Sequence, residues 1–232
     1  MAQPPTLSLS LRASGRSVGS CVAQGHRSYQ EDRYTVLTPE LPSRWSLAGL
    51  RKLPPKRDLV VAVFDGHGGH ECSSFCQNHL PKTLAAVLSR LPAAPPGEQL
   101  ASVLRALDED FSGRVRGRGL MGGGELRRCG CTANLVRVSG DEVHVANAGD
   151  SRSVLVRSGG GVEQLSSDHS PASRPDETER IERAGGVVVR QEMGLMMSLL
   201  LKAKGIEPPL RVYHREPPGE GGLNMTRALG DV

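Results

Sequence analysis

The chain has 232 residues, of which 38% are hydrophobic and 23% are charged, and its formal net charge at pH 7 is +4. This length and composition predict one globular domain with a substantial core and exclude a disordered tail. No run of eighteen apolar residues is present, so no segment is expected to span a membrane. No basic stripe carries the interleaved aromatic residues typical of a nucleic-acid surface, so no nucleic-acid partner is expected.

The cysteines indicate a compartment rather than a metal. Their number is five, and an odd count in a chain of this length predicts reduced thiols in an intracellular protein, cytoplasmic or nuclear. Cys72 and Cys76 are one helical turn apart, and Cys129 and Cys131 flank a glycine. Neither pair has the two-residue gap that is typical of zinc ligands, so the expected role is packing in the core.

The N-terminal residues 1–15 are predicted to be an extension or a first strand, near Thr6 to Leu11. The first twenty residues contain Arg12 and Arg16, several serines and no acid, which leaves an organelle transit peptide as the alternative. Residues 16–232 are then predicted to form a single domain.

A polar stretch precedes the first long strand of that domain. Arg27 is followed by the adjacent acids Glu31 and Asp32, and a strand is predicted over Tyr34 to Leu37. Adjacent acids flanked by arginines usually form a solvated turn. Glu31 and Asp32 are candidate metal ligands only if a cation site lies nearby. Residues 38–57 are basic and punctuated by prolines, which predicts a surface loop.

The apolar run Val60 to Phe64 predicts a buried strand, and it ends in Asp65-Gly66-His67-Gly68-Gly69. A carboxylate at the tip of a buried strand is held rigidly, which suits a metal ligand. Gly66 allows a close backbone approach, so its carbonyl can reach the same ion, and His67 suits proton transfer near neutral pH. The alternative is a strand–turn–helix junction in which Asp65 is only a cap. Further carboxylates elsewhere in the chain decide between the two interpretations.

Two amphipathic helices are predicted next. Apolar residues recur at helical spacing from Cys72 to Leu91 and again from Leu100 to Phe111. Pro81 should kink or divide the first helix, and Pro92 to Gly97 should end it. Ser112 to Gly130 is rich in Gly and Arg without periodicity, which predicts a mobile loop.

Three strands are predicted after that loop, over Ala133 to Val138, Glu142 to Ala148 and Arg152 to Val156. Ser139 to Asp141 supplies a hairpin turn between the first two, and Asp150 lies at the end of the second. Consecutive strands joined by tight turns indicate an antiparallel sheet. This argues against a doubly wound nucleotide-binding fold, for which the chain also lacks a phosphate-cradling loop.

The C-terminal third begins with an acidic helix start, in which Glu179 is placed to close a capping box on Asp176. A strand is predicted over Val187 to Val189. Residues 191–222 contain a nine-residue apolar patch and several prolines but fit no regular element. A final strand then leads to Asp231.

Acidic residues therefore recur at four similar places: Glu31 with Asp32, Asp65, Asp150 and Asp231. Hard oxygen ligands with few histidines favour Mg²⁺ or Mn²⁺ over zinc or copper. Carboxylates that converge from several strand ends predict a two-metal site, in which a bridging water becomes the nucleophile.

The sequence resembles the metal-dependent protein phosphatase 2C (PPM) family of serine/threonine phosphatases over roughly residues 16 to 231. Five motifs occur in the order of the family. They are Arg27 with Glu31-Asp32; Asp65 to Gly69; Gly130 to Ala133 with Asn147 and Gly149 to Arg152; Asp168-His169, Pro171, Glu179 to Ile181 and Gly185-Gly186; and Thr226 to Asp231. The resemblance implies an α+β fold, a four-layer αββα sandwich of two antiparallel sheets flanked by helices and incomplete at its C-terminal end.

The resemblance also implies a role for each candidate metal ligand. Asp65 would bridge two Mn²⁺ or Mg²⁺ ions, with the Gly66 carbonyl as a further ligand. Glu31 would ligate one ion, Asp32 would hold metal-bound water, and Asp231 would ligate the other ion.

The remaining roles concern a third metal and the substrate. Asp150 would contribute to a weaker third metal ion. Arg27 would bind the substrate phosphate, which suits its bidentate guanidinium, and His67 would protonate the leaving oxygen. The implied substrates are phosphoserine and phosphothreonine proteins. Water would attack directly without a phosphoenzyme, and the protein is expected to be a monomer.

Two departures from the family pattern leave an alternative open. About thirty-five residues separate the paired glycines from the Arg-Ala-Leu-Gly-Asp stretch, so residues 191–222 are predicted to be an insertion. The family continues past Asp231 with further ligands whereas this chain stops at Val232, which predicts a partial catalytic domain. The alternative is a catalytically dead or truncated relative that binds phosphoproteins or regulators.

Overall fold

The computed structural model describes residues 6–7, 11–13, 16–38, 58–117, 126–214 and 222–232. Within these ranges the chain forms four α-helices and fifteen short strands. The helices are α1 (Glu71–Arg90), α2 (Pro96–Gly117), α3 (Pro175–Arg183) and α4 (Leu195–Ala203). The strands are β1 (Thr6–Leu7), β2 (Leu11–Ala13), β3 (Arg16–Val18), β4 (Cys21–Val22), β5 (Arg33–Leu37), β6 (Leu59–Phe64), β7 (Gly66–His67), β8 (Gly130–Cys131), β9 (Ala133–Ser139), β10 (Glu142–Ala148), β11 (Val154–Val156), β12 (Val162–Gln164), β13 (Val187–Arg190), β14 (Leu210–Tyr213) and β15 (Leu229–Gly230).

The largest sheet has four antiparallel strands in the order β10-β9-β6-β5. Strand β6 lies inside it, with Val61 opposite Val36 on one side and opposite Val136 on the other. Its run of β-branched and apolar residues suits this interior position, because such side chains pack well on a pleated surface. The predicted α+β class with antiparallel sheets is confirmed, and the pairing does not fit a doubly wound fold.

The core lies between this sheet and the first two helices. Alternate residues of β6 are fully buried, whereas Val63 on the opposite face is exposed. The apolar faces predicted for α1 and α2 complete the core. The buried apolar residues of α1 are Cys72, Cys76, Leu80, Leu84 and Val87, and those of α2 are Leu100, Val103, Leu104, Leu107, Phe111 and Val115. Pro81 lies within α1 on an exposed position and does not divide the helix.

A three-stranded antiparallel sheet, β15-β8-β7, sits at the end of the long sheet. In its centre Cys131 pairs with Gly66 on one side and with Leu229 on the other. The three sequence motifs that supply these strands therefore meet side by side, although they lie far apart in the chain. Smaller antiparallel pairs join β1 to β4, β2 to β3, β11 to β12 and β13 to β14.

Several local predictions were wrong. Helix α2 continues to Gly117, beyond the loop predicted from Ser112, because Ser112 and Val115 extend its buried face. The described part of residues 191–222 contains regular elements, namely α4 and also β14, which pairs with β13 and forms a bridge from Val212 to Leu223. The basic loop over residues 38–57 falls almost entirely outside the described residues, as do residues 118–125.

The capping-box prediction was also wrong. Helix α3 begins at Pro175, its N-cap Arg174 makes no side-chain cap, and Glu179 pairs with Arg183 instead of reaching back to Asp176. The assignment of residues 1–15 as an extension and 16–232 as one domain stays a prediction. In the described part of the chain, no helix is both long and apolar enough to cross a bilayer.

Candidate active site

His67 and Asp231 meet across the three-stranded sheet. The His67 Nε2 lies 2.9 and 3.0 Å from the two carboxylate oxygens of Asp231. Between them lies Gly130, where a Cβ would come within 2.5 Å of the Asp231 Oδ2 and closer still to the His67 ring. A glycine is required there because any side chain would separate the pair.

The backbone at Asp231 is unusual. Asp231 has a φ of 53°, in the left-handed region that few residues other than glycine adopt, and Gly230 before it has a φ of 87°. The Asp231 N–H donates to the Cys129 carbonyl at 3.2 Å, and the Gly230 N–H donates to Asp108 Oδ1 at 2.8 Å. These bonds hold the backbone of Asp231 in a strained conformation of the kind that clusters at functional sites.

Asp65 is anchored by its main chain at the tip of β6. Its N–H donates to the Thr132 hydroxyl at 3.2 Å, and the Thr132 N–H donates to the Asp65 carbonyl at 2.8 Å. The same hydroxyl lies 2.6 Å from that of Ser151, beside Asp150. Thr132 therefore fixes the two strand ends that carry the candidate ligands Asp65 and Asp150.

Carboxylates crowd around Asp65. Desolvation, then the neighbouring Asp32 carboxyl and the charge of Asp150, raise the pKa of Asp65 to about 6, and His67 opposes the rise. The residue is nevertheless exposed, so its carboxylate remains open to solvent. Such uncompensated like charge is relieved by a bound cation, and the site therefore fits one.

Glu31 packs against the loop that follows Asp65. Its Oε1 accepts from the Gly69 N–H at 2.8 Å, and its carbonyl accepts from the Ser73 hydroxyl at 2.5 Å. A Cβ at Gly66 would lie only 2.7 Å from the Glu31 carbonyl oxygen, so this glycine permits the two segments to touch. The predicted convergence of the Glu31-Asp32 and Asp65 motifs is thus a feature of the structure.

The segment that carries Asp150 is tied to two later motifs. Asp150 Oδ2 accepts from the Asn224 amide at 3.2 Å. The His169 N–H donates to the Gly149 carbonyl at 2.9 Å, and the Thr226 N–H donates to the His169 carbonyl at 2.8 Å. His169 thus acts as a structural link between the Asp150 and Asp231 segments.

Two candidate catalytic residues differ in their surroundings. Burial lowers the pKa of His67, but the hydrogen bond to Asp231 outweighs it, together with the negative charges of Asp231, Asp65 and Glu31. The pKa of His67 is therefore raised above its ordinary value. Arg27 lies exposed in the turn before β5, where its carbonyl accepts from the Gln24 amide. Its guanidinium makes no hydrogen bond or ion pair with the described residues, so the structure does not join it to the carboxylates.

The sequence analysis missed Glu177, which organises the approach to Asp231. Glu177 is 3% exposed, and its two carboxylate oxygens each accept from Arg227 at 2.7 Å. Arg180 donates to Glu177 and to the Thr226 carbonyl, both at 2.8 Å. The hydrogen bond from Arg227, helped by Arg180, lowers the pKa of Glu177 to about 2. Glu179, which the sequence analysis placed in a family motif, is exposed and pairs with Arg183. The position of Glu177 four residues before the buried Ile181, on the same helix face, is the signal that could have indicated its burial.

The donor set around Asp65 is chemically selective. Carboxylate and carbonyl oxygens suit Mg²⁺ or Mn²⁺. Among the residues that the structure describes, no three carboxylates come within 4.8 Å of one another. This arrangement suits ions held by one or two carboxylates with water completing the shell, as is usual for Mg²⁺.

The structure thus combines an antiparallel α+β fold with hard-oxygen donors at strand ends. The family model described as "PP2C: Protein phosphatase 2C" matches residues 19–232. The chain belongs to the protein phosphatase 2C family.

Individual relatives agree with this assignment. The chain is 35% identical over 217 residues to a protein named "Probable protein phosphatase 1N" from Homo sapiens, which covers 88% of this chain and 45% of that protein. The solved "Structure of a C.elegans sex determining protein" has a TM-score of 0.63 at 30% identity, covering 97% of this chain and 44% of that one. A serine-threonine phosphatase 2C from Toxoplasma gondii shares the fold, with a TM-score of 0.58 at 19% identity over 97% of this chain and 77% of that one. The chain thus spans about half the length of the curated relatives it matches.

Proposed function

We propose that this chain carries the active site of a metal-dependent protein serine/threonine phosphatase, which hydrolyses phosphoserine and phosphothreonine by direct attack of water. One observation supports the proposal above others: Asp65 lies at the end of β6 near the carboxylates of Asp32 and Asp150 and near His67, which pairs with Asp231. Desolvation, followed by the effect of Asp32 and Asp150, raises the pKa of Asp65 to about 6. The named relatives are protein phosphatases, which agrees with this chemistry.

The proposed metal ligands are Asp65, the Gly66 carbonyl, Glu31, Asp231 and, through water, Asp32. Asp150 would serve a weaker third ion. When bound, two Mn²⁺ or Mg²⁺ ions supply an acidified water and neutralise the charge of the phosphate. The hydrogen bonds between the Asp65 main chain and Thr132 fix the strand end from which the central carboxylate projects.

His67 is proposed to protonate the leaving serine or threonine oxygen. Its Nε2 lies within hydrogen-bond distance of Asp231. That hydrogen bond and the nearby carboxylate charges outweigh burial and raise the pKa of His67 above its ordinary value, a change that favours the acid form of the ring. Arg27 is proposed to bind the substrate phosphate, since its guanidinium is exposed and unengaged among the described residues, and its planar fork matches phosphate oxygens.

The partners and location also remain proposals. Phosphoprotein substrates follow from the proposed reaction, and the monomeric state is an expectation from the resemblance. An intracellular location, cytoplasmic or nuclear, rests on the odd number of cysteines.

The proposal is tested with Asp65→Asn in the full chain, with Asp168→Asn as the control. Asp168 also belongs to a family motif, but its carboxylate pairs with the Arg152 guanidinium and is not among the proposed metal ligands. We expect Asp65→Asn to abolish Mn²⁺ binding, measured by calorimetry, and hydrolysis of a phosphothreonine peptide, with circular dichroism unchanged. Near-normal turnover in Asp65→Asn would refute the two-metal site. Phosphopeptide binding without turnover in the unmodified chain would favour the alternative, a non-catalytic binder of phosphoproteins.

A further inference from the structure

Three thiols meet in the core behind the candidate active site. Cys72 and Cys76 lie one turn apart on α1, and Cys131 lies on β8. The Cys131 Sγ is 3.5 Å from that of Cys72 and 3.8 Å from that of Cys76, and all three sulfurs lie within 4.8 Å of one another. Each of these residues is fully buried.

The spacing of the sulfurs matches a metal–thiolate shell. A zinc–sulfur bond of about 2.3 Å places sulfurs about 3.8 Å apart in a tetrahedral site and about 4.0 Å apart in a planar trigonal one. Two observed separations, 3.5 and 3.8 Å, are already close to these values. A disulfide, by contrast, needs a sulfur–sulfur bond of about 2.05 Å and would leave the third thiol out.

The cluster is distinct from the carboxylates. Successive residues of a strand point to opposite faces, and Gly130 faces His67 and Asp231 while Cys131 faces α1. Apart from the contacts among the thiols, the Cys72 Sγ donates a hydrogen bond to the Leu229 carbonyl at 3.4 Å. A set of three sulfurs selects a soft ion rather than Mg²⁺ or Mn²⁺.

We propose that Cys72, Cys76 and Cys131 form a binding site for one thiophilic ion, Cu⁺ or Zn²⁺. The bound ion clamps α1 to β8, the strand that pairs with both β7 and β15. The ion therefore stabilises the small sheet that positions His67 and Asp231. This site does not depend on the proposed phosphatase reaction.

The test uses the full chain, reduced and stripped of metal, with excess Mg²⁺ present to occupy the carboxylates. Cu⁺ is delivered in competition with a chromogenic chelator, and Co²⁺ serves as the spectroscopic stand-in for Zn²⁺. We expect one equivalent of ion per chain, a sulfur-to-Co²⁺ charge-transfer absorption, and a higher melting temperature. Binding of Cu⁺ alone or of Co²⁺ alone would identify which ion the site takes, and both results support the proposal.

Cys72→Ala and Cys131→Ala should each lower the affinity for the ion at least about a hundredfold. Removing a residue that only supports a metal ligand costs up to about that much, and removing a ligand itself should cost more. Cys129→Ala is the matched control, because Cys129 is also buried beside β8 but its Sγ contacts the Gly68 carbonyl instead. Cys21→Ala controls for the exposed cysteine. Equal binding by all four variants would overturn the proposal, as would no binding by the unmodified chain.

A second measurement does not depend on how the variants fold. X-ray absorption on the loaded, unmodified chain should show three sulfur neighbours at about 2.3 Å. A shell of oxygen neighbours alone would place the ion among the carboxylates and overturn the proposal.

Discussion

The ion-pair network around Glu177 leads to a quantitative prediction about stability. The side chain is buried, and Arg227 and Arg180 donate four hydrogen bonds to its carboxylate. Three of them reach Oε2 at 2.7 to 3.2 Å, and one from Arg227 reaches Oε1 at 2.7 Å. Replacing Glu177 with Gln keeps the shape of the side chain but removes its charge. The two guanidinium groups then lose their anionic partner, and the segment from Thr226 to Asp231 loses its anchor.

The magnitude follows from the pKa of Glu177, which falls from 4.5 to about 2 on folding. A difference of this size corresponds to about 3 kcal/mol at pH 7, and the half-exposed arginines reduce the expected loss to about 2 kcal/mol. Because the folded-state pKa is depressed, this stabilisation is complete above about pH 5 and is lost as the pH falls towards 2.

The assay is urea unfolding of the unmodified chain and of Glu177→Gln at pH 7 and pH 3. The gap between the two unfolding free energies should shrink to less than half at pH 3. Glu179→Gln is the control, because Glu179 lies two residues further along α3 and also pairs with an arginine, but at the surface. That variant should lose about 0.5 kcal/mol or less. Equal losses in the two variants, or a gap that does not change with pH, would refute the reasoning.

Three further predictions concern the site and the insertion. His67→Gln should lower turnover about a hundredfold or more on a phosphoserine peptide but much less on an aryl phosphate, whose leaving group needs little protonation; equal losses would argue against the proposed general acid. Gly130→Ala should separate His67 from Asp231 and lower both the melting temperature and turnover, and unchanged values would show that the sheet adjusts. Lys202 and Lys204 are exposed at the C-terminal end of α4, within the predicted insertion, and we expect them to favour acidic substrates. Replacing both with Ala should raise KM for an acidic phosphopeptide only severalfold, since exposed charges contribute about 1 kcal/mol or less, and the effect should vanish in high salt. A KM change that persists in high salt would contradict an electrostatic role.

Elements with a clear local pattern could be predicted from the sequence. The continuous apolar run gave β6, and alternation with a Ser-Gly-Asp turn gave β10 with its observed bounds. That Glu31, Asp65 and Asp231 serve one metal site stays a prediction, made from the recurrence of acids at strand ends and from the resemblance of their motifs. The contact between His67 and Asp231 could not be predicted from local patterns, because it depends on pairing between β7, β8 and β15.

Elements whose pattern is ambiguous were missed. Helix α4 consists mainly of Leu and Met, which favour a helix, but its apolar residues do not follow one face and none is buried. Strand β14 becomes a strand through its partner β13, a tertiary effect that its four residues do not signal alone. The contact of Cys131 with Cys72, across fifty-nine positions, has no local signature either.

The central position of β8 has a consequence for the order of events during synthesis. His67 and Asp231 are 164 positions apart, and they are brought together only when β8 has acquired a neighbour on each side. The sheet β10-β9-β6-β5 and its two helices use contacts that close earlier along the chain, so they can form while later residues are still in the ribosome. A nascent chain that is arrested once Ala148, the last residue of β10, has emerged from the ribosome should therefore already resist proteolysis in its core. It should gain the His67–Asp231 pair only after Asp231 has emerged.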